Sequence, residues 1–259
     1  MVICALAPDL GAAPPRGKAL PQGALDKLRA DLRGDSDDAA IAAAKQLGES
    51  GAIAATDSLT ALLAGGTTPG RAQAALEGLA PWGAPKSLEV LVLYAGNRNS
   101  ELRVRAVKAL GAIKDGRATA VLLERLGDPA PLVRAAAAEA LAARKEKQAV
   151  PRLLMLVKRN DAGAAGPLGL LASHDLIPKL AELQGGIDDG VLATALGEYI
   201  KRDDVADKMR VDVVRTIGGL QGAGATTALV EYIAVVPSKD DRPSRREAQK
   251  LLDERGGSR

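Results

Sequence analysis

Apolar residues along this chain recur at the three-and-four spacing of amphipathic helices, and one such pattern returns about every 31 residues. Residues 102–111 read LRVRAVKALG, 132–142 read LVRAAAAEALA, and 209–218 read MRVDVVRTIG. Each is an apolar residue, an arginine, small residues, then an apolar residue and usually glycine. The apolar residue at the glycine end falls at Leu47, Leu79, Leu110, Leu141 and Leu171, and later at Leu196, Ile217 and Leu252. The first five marks are evenly spaced; the stretch from about 160 to 220 is not.

The pattern predicts two helices, A and B, per unit. In SELRVRAVKALGAI, Leu102, Ala106, Ala109, Leu110 and Ile113 share one helical face. KDGR then turns at Gly116, and ATAVLLERLG forms helix B. Asp128 is placed to cap the next helix, with Pro129 in its first turn, where a missing N–H costs nothing. The fourth unit repeats this, with helix A over 130–143 and helix B AVPRLLMLVKR. In the fifth, Gly166, Pro167 and Gly169 predict a kinked or short helix A, since an internal proline removes a hydrogen bond. Residues 188–201 and 206–219 both read as helix A with only RDDV between them. Either a helix B is missing or one of the two has taken its place. ATTALVEYIAVV reads as the following helix B, and PSKDDRP as a linker. SRREAQKLLDER is polar enough for a terminal cap, and ALDKLRADLRG closes the other end.

Composition supports an all-helical reading. The apolar fraction is 47%, with no Phe, one Trp and three Tyr, so the apolar content is carried by Ala, Leu and other aliphatics. The expected fold is an all-α, right-handed solenoid of about seven helical hairpins over 23–255. Residues 1–22 are expected to be a flexible tail or the remnant of an export signal, and 256–259 a flexible tail. A cytoplasmic location is the expectation, or a periplasmic or secreted one if the N-terminus is a truncated signal. The single cysteine, Cys4, follows the bulky Ile3, which argues against a lipoprotein anchor, and it excludes an intramolecular disulfide.

DPAPLVRAAAAEALA followed by QAVPRLLMLV resembles the HEAT-like repeat of the phycobilisome-lyase type, whose pattern runs D-x-x-x-x-V-R-x-x-A-x-x-A-L-G, a loop, then A-V-P-x-L-L. The resemblance covers most of 35–255. It carries the arginine position to Arg103, Arg134, Arg210 and Arg245 and the aspartate position to Asp128 and Asp204. Ala40 and Ala72 stand at the arginine place in the first two units. These arginines and aspartates are expected to tie repeats together through carboxylates and free carbonyls. The resemblance also implies that the B helices line the concave face. That puts Arg117, Arg125, Arg152, Lys158 and Arg159 there as candidate contacts for an acidic protein.

The expected function is a non-catalytic protein-binding scaffold or adaptor, monomeric and without cofactor or metal. Two alternatives stand beside it. One is a lyase- or chaperone-like subunit acting on a tetrapyrrole protein, implied only by the resemblance. The other is a nucleic-acid-binding helical-repeat protein. The net charge of +3 and the scarcity of aromatics count against the second. The one histidine, His174 in ASHDL, reads as a loop or capping residue. The acidic pairs Asp37/Asp38, Asp188/Asp189, Asp203/Asp204 and Asp240/Asp241 read as helix-start charges, and Trp82 as a loop residue over a helix end.

Overall fold

The computed structural model describes residues 20–236 and 241–256. Cys4 with the rest of 1–19, Asp240 and the tail over 257–259 lie outside the described residues. Among the described residues the regular structure is helical throughout. In chain order the α-helices are α1 (Gln22–Arg33), α2 (Asp37–Ser50), α3 (Ile53–Ala64), α4 (Pro69–Leu79), α5 (Leu88–Ala95), α6 (Ser100–Ala112), α7 (Gly116–Arg125) and α8 (Pro131–Ala143). They continue as α9 (Val150–Val157), α10 (Ala162–Leu171), α11 (Ile177–Ala181), α12 (Asp189–Ile200), α13 (Asp207–Gly219), α14 (Gly222–Val235) and α15 (Pro243–Gly256).

Two compact units divide the chain, the first ending at Arg144 and the second beginning at Lys145. In the first, α2, α4, α6 and α8 stack one on the next and form a first row. Helices α1, α3, α5 and α7 form a second row against them. In the second unit α10, α12 and α14 form the first row; α9 packs on α10, α11 on α12, and α15 on α13. Most apolar marks of the sequence are core: Leu47, Leu79, Leu110 and Leu141 are buried in the first unit, Leu171, Leu196 and Ile217 in the second, while Leu252 on the terminal helix is only half-buried.

Side chains start the helices where the pattern requires. Ser36, Asn99, Asp115, Asp161 and Asp188 each accept a backbone N–H from the first turn of α2, α6, α7, α10 and α12. Pro69, Pro131, Pro151 and Pro178 occupy first-turn positions. Asp128 is not the cap of α8: Ala130 holds that place, and the Asp128 carboxylate turns toward Arg103 instead.

The phrase ends in glycine because the next helix of the row comes too close for a side chain. A Cβ on Gly48 would sit 2.4 Å from Gly78 Cα, where α2 crosses α4. A Cβ on Gly169 would sit 2.1 Å from the carbonyl oxygen of Ala195, where α10 crosses α12. This sets up a reversal of the usual rule. Alanine normally exceeds glycine in a helix by about 1 kcal/mol. Gly169→Ala is expected instead to destabilise by about 1–3 kcal/mol, because the helices must move apart. Gly116→Ala, at a helix start with open space around it, is the control and should be neutral or stabilising. Urea unfolding of the two variants checks the opposite signs.

Helix α10 is short, ten residues against thirteen in α8, and runs unbroken through Pro167. The ambiguous stretch resolves within the second unit. Helix α13 carries the A phrase but takes the second-row place, touching α12 and α14 and stacking on α15. Helix α14, expected as a helix B, lies in the first row on α12. Small residues allow this seating: a Cβ on Gly224 would fall 2.8 Å from Gly190 Cα, and one on Gly197 3.0 Å from Ala228 Cβ.

Candidate binding surface

The phrase arginines close loops. Arg103 donates to Asn97 O and Arg98 O, Arg134 to Asp128 O and Pro129 O, and Arg210 to Ile200 O and Arg202 O. Each guanidinium thus covers carbonyls just upstream of its own helix. Arg103 also reaches the next repeat, donating Nε and Nη2 to the two oxygens of Asp128 at 2.9 and 2.7 Å. Asp204 pairs with Arg202 at 2.6 Å rather than with Arg210. Arg245 is half-buried, with an Nε that has no hydrogen-bond partner among the described residues.

A second set of ties lies at the other end of the helices, which the sequence reading missed. Arg144 donates to Ile113 O at 2.6 Å, Arg202 to Ala172 O at 2.6 Å, and Arg255 to Leu220 O at 2.6 Å. Trp82 donates Nε1 to Gly48 O at 2.6 Å, its ring filling the space over Gly51, which holds a left-handed φ of 58°. In each case a donor of one repeat satisfies carbonyls left open at the helix end of the repeat before it. The signal was present in the sequence: Trp82, Arg144 and Arg255 each stand three residues after a mark, at Leu79, Leu141 and Leu252.

Asp128 is the most buried charge among the described residues, its side chain 1% exposed against 11% for Arg103. Burial alone would raise its carboxyl. The hydrogen bonds from Arg103 and from the Ala130 amide, with the charges of Arg103 and Arg125, outweigh that and hold it below the ordinary carboxylate value. The folded state therefore releases this proton more readily than the unfolded chain, whose aspartate titrates near about 4. The contribution to stability is complete above that value and is lost as pH falls through the lowered folded one. Asp128→Asn is expected to flatten the acid limb of a stability–pH profile, a change read by urea titrations at stepped pH.

The five candidate contact cations separate by unit. In the first, Arg117 is exposed and pairs with Glu89 of α5, while Arg125 donates to Ala95 O and contacts Glu124 and Asp128. In the second, Arg152, Lys158 and Arg159 are exposed on and just after α9. Lys158 and Arg159 form no ion pair among the described residues.

The surface that these helices present has a repeating apolar part. Leu59, Leu91 and Leu122 are the buried register residues of α3, α5 and α7. The two residues that follow each face solvent or the margin of the core: Thr60–Ala61, Val92–Leu93 and Leu123–Glu124. Leu93 is 70% exposed. Because α3, α5 and α7 are neighbours, these positions line up across the second row of the first unit. Toward the helix starts the stripe is bordered by ion pairs, Lys86–Asp57 at 2.9 Å and Arg117–Glu89. On α9 the same positions after Leu153 are Leu154 and Met155.

First-row charges are largely paired between repeats. Arg71 meets Asp37 at 2.6 Å, Arg105 meets Glu77 at 2.7 Å, and Lys201 meets Glu231 at 3.0 Å. His174 begins a short 3-10 turn, with Nδ1 2.6 Å from the hydroxyl of the buried Tyr199. Asp188 caps α12, Asp189 accepts from the Gln221 amide, and Asp241 pairs with Arg246. Among the described residues no three His, Cys, Asp or Glu side chains are grouped to hold a metal ion, and no helix is long and apolar enough to cross a membrane.

Comparison with known proteins agrees with this architecture. The HEAT-repeat family model matches residues 88–165, the run from α5 into α10. Among solved structures, the chain is similar to one in the complex of CpcE and CpcF of phycocyanin lyase from Nostoc sp. PCC7120. The identity is 20% and the TM-score 0.51, with 93% of this chain and 96% of that one covered. An engineered protein is similar at 21% identity and TM-score 0.45, covering 90% of this chain and 72% of that one. No curated protein matches the chain. Residues 88–165 match the HEAT-repeat family, and the described residues have an all-α repeat architecture.

Proposed function

We propose that this chain is a non-catalytic scaffold that holds a partner protein on the outward face of its second-row helices. The observation that carries this is the stripe Thr60–Ala61, Val92–Leu93 and Leu123, uncharged at register positions of three adjacent helices and ended by the exposed Glu124 on the last. In the first unit, ion pairs between repeats such as Arg71–Asp37 and Arg105–Glu77 occupy part of the outward side of the first-row helices. Burying a Leu or Val side chain fully is worth about 1.5–3 kcal/mol. A row held by carbonyl caps and buried pairs presents such side chains already ordered, which lowers the cost of association. The likeness to a lyase subunit carries the fold alone, and the proposal takes no pigment chemistry from it.

The test is a double variant, Leu93→Glu with Leu123→Glu, compared with Lys108→Glu on the exposed side of α6. Leu93 is largely outside the core, so the pair is expected to shift stability by at most about 1 kcal/mol. Affinity for a partner isolated with the wild-type chain should fall by roughly thirtyfold or more, the loss typical of central interface residues. Lys108→Glu should leave it unchanged. The opposite ranking contradicts the proposal.

A further inference from the structure

We propose that the solvent-facing side of α9 docks an acidic amphipathic helix of a partner protein, an assignment that rests on the second-row face being the binding face. Helix α9 presents Met155, 55% exposed, flanked by the partly exposed Leu154 and Leu156. Lys158 and Arg159 follow one turn later on the side of Met155, and Arg152 precedes it by one turn. This is an apolar centre with a cationic rim.

Among the described residues the charge of Lys158 and Arg159 is uncompensated. Arg117 and Arg125 of the first unit are engaged with Glu89, Glu124 and Asp128, whereas Lys158 and Arg159 have no ion pair among the described residues. Helix α10, which packs on α9, contains no charged residue. The nearest acid in the chain, Asp161, is turned to the Gly163 amide as the cap of α10. Cations at a helix C-terminus do interact favourably with its dipole, by about 0.3–1 kcal/mol each. That accounts for where Lys158 and Arg159 stand. It does not account for an exposed Met beside them, a side chain suited to adaptable binding surfaces.

The same features select a helix as the occupant. An added strand needs a sheet edge, and the described residues are helical throughout. A polyproline segment needs an aromatic-lined groove, and α9 has no aromatic residue. Two helices can meet along an apolar seam, and eight residues of α9 span about 12 Å, the length of two turns of a partner. Apolar residues three and four apart on the partner would lie against Leu154, Met155 and Leu156. Carboxylates beside that seam would meet Lys158 and Arg159 through charge-assisted hydrogen bonds.

The experiment uses the full chain and two fluorescein-labelled helical peptides with one leucine seam, flanked by Glu in the first and by Lys in the second. Fluorescence anisotropy should show binding of the Glu peptide and none of the Lys peptide. Raising salt from about 50 to about 500 mM should weaken the complex. Lys158→Glu with Arg159→Glu, and separately Met155→Glu, should each raise the Kd about tenfold or more with melting unchanged. Failure of the Glu peptide to bind, or binding untouched by the charge reversal, overturns the assignment. If Leu93→Glu with Leu123→Glu abolishes binding while the α9 variants do not, the second-row face stands and the α9 assignment falls. If neither set matters, both fall. Displacement of the Glu peptide by single-stranded DNA at equal concentration also overturns it, in favour of a polyphosphate ligand.

Discussion

Replacing Ala138 by aspartate is expected to abolish cooperative folding of the first unit. Ala138 lies on α8 with no exposed surface, in a helix that packs on α6 and α7. Its helical neighbours Val133, Ala137, Leu141 and Ala142 are buried as well, so an aspartate there has no short path to solvent. A carboxylate there is buried without a partner, or is protonated at the expense of its ordinary ionisation. Either costs several kcal/mol, and small domains hold only about 5–15 kcal/mol in total. Trp82, the single tryptophan, sits in the same unit and reports the transition. Loss of its native emission together with the far-UV helical signal is the expected result. Glu139→Ala, one residue on and exposed, should melt within about 0.5 kcal/mol of wild type. A wild-type melt for Ala138→Asp would mean that α8 does not present this face to the row.

Asp128→Ala carries the second large effect. The substitution removes the bidentate partner of Arg103, the acceptor for the Ala130 amide and, beside Glu124, one of two carboxylates near Arg125, whose Nε has no hydrogen-bond partner among the described residues. Breaking a buried pair from one side typically costs about 3–5 kcal/mol, because the remaining charge is left buried. The loss should show as a lowered urea midpoint, again followed at Trp82. Arg103→Met in the Asp128→Ala background should recover part of it, since an apolar side chain carries no charge to strand. Additive losses in the double variant would show that the two side chains do not act together.

The periodicity made the architecture legible. A phrase with one apolar mark per unit marked the buried positions from Leu47 to Ile217, whereas the cap it named, Asp128, and the first-turn Pro129 both lie outside α8. It could not distinguish rows where the phrase itself changes place. Helix α13 has the arginine and the terminal glycine of an A helix, yet the link over 201–206 sets it in the second row. That choice depends on Gly190, Gly197 and Gly224 receiving α14, a relation between helices far apart in sequence. The arginines show a similar division. Their recurrence at the helix start was visible, and the structure gives most of their hydrogen bonds to carbonyls of their own loop. The ties between repeats come chiefly from Trp82, Arg144, Arg202 and Arg255, which share a place in the fold but not a residue type. The candidate cations were picked by counting charge. Charge counting has no means of separating Arg117, which meets Glu89, from Lys158, which has no counter-ion among the described residues. Solvent-facing leucines such as Leu93 look like core in a sequence, because periodicity alone does not mark which side of an eight-residue helix the next row covers.

The central claim is that the second-row helices carry the binding face. A photo-crosslinking amino acid placed singly at Val92, Leu93 and Leu123, and for comparison at Lys108 and Glu139 of the first row, tests it in the intact chain. The account predicts a discrete covalent adduct with the partner from the three second-row positions and none from the other two. Adducts confined to Lys108 and Glu139 would contradict it.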